Sequence, residues 1–296
     1  RWYGDVITYS FPTQATAFWG VGSETRTFQP LNPQQQSIAR LSMQIWDDLI
    51  EPKLEETSLS GNIKFGLSLT DTEYAHSYYP SNGSVWFNAT DSGLFAPQVG
   101  RYAFETYLHE IGHALGLDHM GAYNGEGDNQ ASSNQDSSVY SIMSYFGPEH
   151  RVGEGQVAWA DWTGSDRQLY APQTPMLNDV MAIQFLYGAD PATRVDDTVY
   201  GFNSSIAGSL ADIYNFAKNA NPIITIYDAG GVDTLDFSGW SAASVINLQS
   251  GQFSSCNDMT NNIAIAYGCA IENAIGGGGA DTITGNALSN WIRGLG

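Results

Sequence analysis

Three of the chain's five histidines fall in "LHEIGHALGLDH", Leu108–His119. His109 and His113 are four residues apart, so on a helix their imidazoles leave the same face and can share one ion. Glu110 follows His109 and can reach a water held at that ion. If the helix stops at Gly116, the chain can bend and return His119 to the same point. Three neutral nitrogens with an open fourth position form the donor set of a catalytic zinc centre, whereas structural zinc sites are closed by a fourth protein ligand. The spacing therefore predicts hydrolysis, with Glu110 as general base for a zinc-activated water. His76 and His150 lack such neighbours and read as ordinary packing or surface residues.

Farther along, "SIMSY" contains Met143 and Tyr145. A Met in a turn after H-E-x-x-H-x-x-G-x-x-H completes the pattern of the metzincin zinc proteases. Met143 is then expected to lie beneath the metal as an apolar floor. Tyr145 is expected to bring its phenol near the metal, where it can hydrogen-bond a developing oxyanion.

These groups need a frame. Gly100 to Leu117 reads as a helix, with Phe104, Leu108, Ile111 and Leu115 on one side and Gly116 as its stop. A second helix is expected from Pro33 to about Glu56, on the stripe Ile38, Leu41, Ile45 and Leu49. "RWYGDVITYSFP", "NIKFGLSLT" and "GSVWFNA" alternate as half-buried strands do. The last contains Ser84, Val85, Trp86, Phe87 and Asn88, and is expected to pair with an extended substrate through the main chain. Gly121 to Ser138 is polar and reads as loop. "TPMLNDVMAIQFLYG" reads as a helix with Pro175 near its start and Gly188 past its end.

After about Asp190 the composition changes to short β-like runs separated by Gly, Asp, Asn and Ser. The expected organisation is α+β, with a zinc-protease domain over 1–190 and an all-β domain over 191–296. Within the latter, "GGGGADTIT", Gly276–Thr284, fits the nonapeptide of calcium-binding parallel β-rolls. The next stretch, "GNALSNWIR", keeps the spacing but has lost the second Gly and the Asp.

The 296 residues carry 11 Lys+Arg against 31 Asp+Glu, a formal net charge of −20. That field repels nucleic acid and favours cations that carboxylates can ligate. No apolar run of about eighteen residues suggests a membrane span. "RWYGD" reads as the start of a mature or trimmed product. Cys256 and Cys269 allow either one bridge, as in an extracellular protein, or two inert thiols.

Together the long zinc motif, "SIMSY", "AIQFLYGAD", "DTVYGFNS", "DAGGVDTLDFSG" and "IENAIGGGGAD" resemble the serralysin family of secreted bacterial metalloproteases. The resemblance implies a metzincin protease domain followed by a calcium-filled β-roll, here apparently truncated, and broad endoproteolysis outside the cell. It implies one catalytic zinc and several structural calcium ions. It also implies a monomer acting on proteins and peptides, and a proteinaceous inhibitor as a further partner. Carried over by residue, calcium would be held by Arg194, Asp196 and Thr198; by Asp228, Gly230, Gly231 and Asp233; and by Ala270 and Glu272. In the tail, Gly277, Gly279 and Asp281 form half a site, with Gly294 and Gly296 beginning its partner turn.

Two competing readings are a non-catalytic calcium-dependent binding or adhesion module and a zinc hydrolase of non-peptide substrates. Glu110 and Tyr145 speak against the first. The long metzincin signature speaks against the second.

Overall fold

The computed structural model describes residues 1–18, 22–70, 72–125, 130–149 and 159–296. They form two compact units, one of residues 1–118 and 182–189 and the other of residues 119–181 and 190–296.

The first unit is built on a six-stranded sheet. Its strands are β1 (Val6–Ser10), β2 (Phe28–Gln29), β3 (Lys53–Glu56), β4 (Ile63–Ser68), β5 (Ala75–Ser77) and β6 (Ser84–Asn88). The order is β3-β1-β4-β6-β5, with β2 added to the end of β4. Neighbours are parallel except β2 and β5, which run antiparallel to β4 and β6.

Helices α1 (Pro33–Asp47) and α3 (Tyr102–Leu115), together with the short α2 (Ser92–Phe95), complete this unit's N-terminal part. The Trp46 indole donates to the Leu108 carbonyl at 3.1 Å, joining α1 to α3. Tyr107 of α3 stacks on Phe87 of β6 with ring centres 4.1 Å apart. Phe18 and Phe28 pack on Trp86, which alternates with Phe87 and so faces the opposite side of the sheet. Trp86, Phe87, Phe104, Tyr107 and Leu108 are buried completely. A fully buried side chain of this kind contributes about 1.5–3 kcal/mol, so the α3 face is held by several such contacts.

α1 starts with a capping box between Asn32 and Gln35, and Pro33 occupies its first turn. Its end differs from the sequence expectation, which carried the helix on to Glu56. The helix stops at Asp47, and Lys53–Glu56 is instead an edge strand paired with β1. Pro52 explains the change, because it lacks an N–H and disfavours helical geometry in the residue before it.

In the second unit a loop-rich segment leads to the first turn of α4 (Leu177–Tyr187), followed after Asp190 by very short strands. The strands β7 (Val199–Gly201), β9 (Thr234–Asp236), β13 (Asn273–Ile275) and β15 (Trp291–Arg293) form one parallel sheet. Its central register, Tyr200–Leu235–Ala274–Ile292, is fully buried in the first three rows.

β8 (Ile224–Ile226) and β12 (Ile263–Ile265) pair in parallel, with β11 (Phe253–Ser254) antiparallel to β12. β10 (Val245–Asn247) pairs in parallel with β14 (Thr282–Thr284). Strands β13, β14 and β15 begin nine residues apart, at 273, 282 and 291, and go alternately to two sheets. That nine-residue step is the repeat of a β-roll. The mixed α/β first part and the parallel-stranded C-terminal part agree with the fold class expected from sequence. Within the strand-rich region a 3-10 turn, Gly208–Leu210, runs directly into the short α5 (Ala211–Tyr214).

Candidate metal centre

α3 carries the first half of the centre. It ends at Gly116, whose φ of 110° is left-handed and strained for any side-chain-bearing residue. The Gly116 N–H returns to the Gly112 and His113 carbonyls, and the Leu117 N–H returns to Gly112. The last orphan carbonyls of the helix are thereby paired while the chain turns away from the axis. The expected bend is present. The ligand nitrogens of His109, His113 and His119 all lie within 4.8 Å of one another.

The other ring nitrogens show how these imidazoles are set. His113 Nδ1 is 2.8 Å from the Leu117 carbonyl, and His119 Nδ1 is 2.9 Å from the Tyr123 carbonyl. A carbonyl oxygen only accepts, so each Nδ1 carries the proton and Nε2 keeps its lone pair for a metal. Tyr79 stands edge-on to His113 at 5.8 Å, and its hydroxyl donates to Asp118 at 2.9 Å. The three imidazoles of His109, His113 and His119, half-buried, buried and half-buried in that order, fit a divalent transition metal.

Glu110 is buried, and its Oε2 has no hydrogen-bond partner. An orphaned carboxylate oxygen is costly unless a water, proton or charge completes it. Burial pushes the Glu110 carboxyl up to about 8.

Tyr145 packs edge-on to His119, with ring centres 4.5 Å apart at 61°, and its oxygen accepts from the Gly125 N–H at 3.2 Å. Met143 is buried, and its carbonyl accepts from the Met120 N–H at 3.4 Å, next to His119 in sequence. The Met143 turn is fixed by Asp179. That carboxylate accepts from the Ser141 hydroxyl at 2.5 Å and from the Ile142 and Met176 N–H groups at 2.8 Å each. Burial pushes the Asp179 carboxyl up to about 6, opposed by these hydrogen bonds.

One sequence expectation is corrected here. Ser84, Val85, Trp86, Phe87 and Asn88 cannot take an added strand, because β6 already pairs with β4 on one side and β5 on the other. Its first four residues are also buried. The strand at that end of the sheet is β5, antiparallel to β6, and Ser77 on it donates to the Glu110 carbonyl at 2.8 Å. β5 is too short, and too weakly alternating, for sequence to single it out.

Sequence reasoning also passed over Asp179, Tyr123 and Asp136, whose roles are set by folding of the loop and not by any spacing. His76 is held by Glu24 at 2.8 Å, as a plain packing residue would be, and His150 lies outside the described residues. Cys256 and Cys269 are free and buried, and burial pushes both thiols up to about 12. Neither is reactive at neutral pH.

Of the residues expected to hold calcium, Arg194, Asp196 and Thr198 lie just before β7, and the others lie in turns between later strands of the second unit or after the last one. Thr198 N–H donates to Asp233 at 2.8 Å, and Asp233 N–H donates to Glu272 at 2.8 Å. Asp228 accepts from the Gly230 N–H at 3.0 Å and from the Tyr200 hydroxyl at 2.7 Å. Burial first, then the charges of Asp228, Glu272 and Asp197, push the Asp233 carboxyl up to about 7 against the pull of the Thr198 N–H. Gly231 has φ of 124°, and a Cβ there would come 2.8 Å from the Asp196 carbonyl oxygen.

The Arg194 guanidinium is turned to the Tyr227 carbonyl at 2.6 Å and lies over Tyr214. Its backbone oxygen is therefore what Arg194 can offer a cation. The Ala270 carbonyl lies 3.9 Å from the Cys269 thiol. Asp281 accepts from the Gly277 N–H at 2.6 Å and the Ser244 N–H at 2.8 Å. Gly279 abuts the Ala242–Ala243 backbone, and a Cβ on Gly296 would meet the Gly279 carbonyl oxygen at 2.6 Å, whereas one on Gly294 would point into open space.

Comparison with known proteins gives two matches to family models. Residues 75–158 match the reprolysin-like metallopeptidase family M12B, and residues 189–292 match the C-terminal region of the serralysins of peptidase family M10. Serralysin B of Dickeya chrysanthemi is 38% identical over 308 residues, covering 95% of this chain and 60% of its own length. Serralysin C of the same organism is 40% identical over 276 residues, covering 86% and 54%. Metalloprotease AprA of Pseudomonas entomophila is 37% identical over 304 residues, covering 97% and 60%. The chain thus spans little more than half the length of these curated relatives.

Proposed function

This chain is a relative of the serralysin metalloproteases, and from that premise we propose that it is a secreted zinc-dependent endopeptidase of broad specificity. The observation that carries the reading is the convergence of His109, His113 and His119 beside the buried, half-unpartnered Glu110. Zinc bound there would supply a Lewis acid and acidify a water in its open position. Glu110 would hold at Oε2 the proton released by the attacking water and pass it to the departing amine. Tyr145, packed edge-on to His119, turns its hydroxyl to the developing oxyanion. Met143 supplies an apolar floor near the third ligand.

The substrate lies along β5, adding a strand through main-chain hydrogen bonds. Recognition by backbone is what makes the specificity broad, and Ser77 ties that edge to the carbonyl of the general base. Proteins and peptides are the substrates, and the enzyme acts as a monomer that a proteinaceous inhibitor can block at the same edge. Among the described residues no helix is long and apolar enough to cross a membrane.

The division of labour falls near residue 190, with catalysis over 1–190 and calcium binding over 191–296. Support for this comes from the match of the serralysin C-terminal family to residues 189–292. Calcium would be held by the turn residues around Asp228, Asp233 and Glu272 and, in the tail, around Asp281. Oxygen donors crowded with uncompensated carboxylate charge suit a hard cation.

A casein assay with and without a chelator tests the reading. Activity lost to the chelator and restored by zinc supports it. Undiminished activity in metal-free protein contradicts it.

A further inference from the structure

Asp136 is completely buried in the loop between His119 and the Met143 turn. Its carboxylate collects hydrogen bonds from three separate residues. Oδ1 accepts from the Tyr123 hydroxyl at 2.6 Å and the Ser144 hydroxyl at 2.7 Å. Oδ2 accepts from the Ser132 N–H at 2.8 Å and the Ser132 hydroxyl at 3.1 Å.

Each partner leads to the metal centre. The Tyr123 carbonyl accepts a hydrogen bond from His119 Nδ1–H, and so sets the plane of the third imidazole. The Ser132 hydroxyl, 2.7 Å from the Met120 carbonyl, fixes the residue after His119. Ser144 immediately precedes Tyr145, whose N–H points at the Tyr123 oxygen at 3.4 Å. The Tyr123 ring also lies 4.7 Å from the Tyr145 ring. Burial and then the bond to Asp136 push the Tyr123 phenol up to about 12, so it stays a donor to that carboxylate.

We propose that Asp136 is the positioning residue of the third metal ligand, holding His119 and Tyr145 in one arrangement through Tyr123, Ser132 and Ser144. The proposal rests on the reading of the triad as a zinc site. A buried carboxylate spends its desolvation cost only where its bonds are fully made. Here they join the two chain segments that bring His119 and Tyr145 together. His109 and His113 need no such brace, since their helix sets their spacing. His119 sits in a loop, and its direction depends on what holds the loop.

The test is zinc affinity of the full chain, measured by competition with a chromophoric chelator, for wild type, Asp136→Asn and Tyr123→Phe. Asp136→Asn keeps the shape but turns one acceptor into a donor. Partners of a ligating His typically govern 10–100-fold in metal affinity. For Asp136→Asn the expected loss is about tenfold, with a smaller loss in the same direction for Tyr123→Phe. The d–d spectrum of the cobalt-substituted variants should also change.

Melting of the metal-free proteins separates a scaffold role from a positioning role. If Asp136→Asn lowers only the melting temperature and binds zinc as wild type does, the proposal is overturned. Should Asp136→Asn fail to fold, wild-type zinc affinity and an unchanged cobalt spectrum in Tyr123→Phe overturn it equally. A wild-type chain that binds no zinc would instead sink the functional reading itself.

Discussion

Ser77 donates its hydroxyl to the backbone carbonyl of Glu110 at 2.8 Å, so a hydrogen bond joins the edge of the sheet to the carboxylate-bearing turn of α3. On the proposed reading, substrate laid on β5 would be registered against Glu110 as general base. Ser77→Ala should cost about 1 kcal/mol of stability. It should also lower kcat/KM about tenfold, because small misplacements of reacting groups are expensive. Steady-state kinetics on a fluorogenic peptide, with a parallel melting curve, checks both. An unaltered kcat/KM would detach β5 from the substrate.

Glu110→Gln keeps the side chain's volume but removes its ability to accept a proton. Positioned proton transfer is worth roughly 10²–10⁴ in rate. The variant should lose that much in kcat while binding one equivalent of zinc as wild type does. Retention of more than about a tenth of kcat would remove Glu110 from the role of base.

For Tyr145→Phe the expected change is a kcat reduced about 10²-fold, with KM nearly constant, because the hydroxyl is to act on charge that appears only in the transition state. A changed KM with constant kcat would place Tyr145 in substrate binding instead.

Calcium and pH should be coupled through Asp233. Its carboxyl is pushed up to about 7 without an ion, well above the usual carboxylate value. Folding therefore favours the protonated form. The associated stability is fully present at low pH, below the unfolded carboxyl's pKa, and is lost as pH rises through about 7. Calcium needs the ionised form, so its stabilising effect should be larger at pH 8 than at pH 6. Thermal melts at the two pH values, with calcium and with a calcium chelator, measure the difference. An equal calcium effect at both would contradict the assignment of Asp233.

The convergence of the three histidines was legible in sequence because local geometry fixes it: an i, i+4 pair on a helix, and a glycine that must end it. Gly116 at φ 110° is the physical form of that signal. The end of α1 was harder, since the apolar stripe ran on to Leu49 and only Pro52 marked the change. The choice between β6 and β5 could not be read at all. Hydrophobicity identified Ser84–Asn88 as a strand, but which strand keeps an open edge is decided by long-range pairing. Asp136 and Asp179 are acidic residues in polar or helical contexts, and nothing in their spacing distinguishes a solvated carboxylate from a buried hub. The nine-residue step of β13, β14 and β15 was visible in part through "GGGGADTIT", although the β-strands themselves are only three residues long.

The central claim is that His109, His113 and His119 together hold one zinc that the activity requires. Elemental analysis of purified active protein, alongside His119→Ala, tests it most directly. One zinc per chain in the wild type, with both zinc and caseinolysis lost in the variant, is the expected result. Active wild-type protein without zinc, or a His119→Ala variant that keeps both metal and activity, would contradict it.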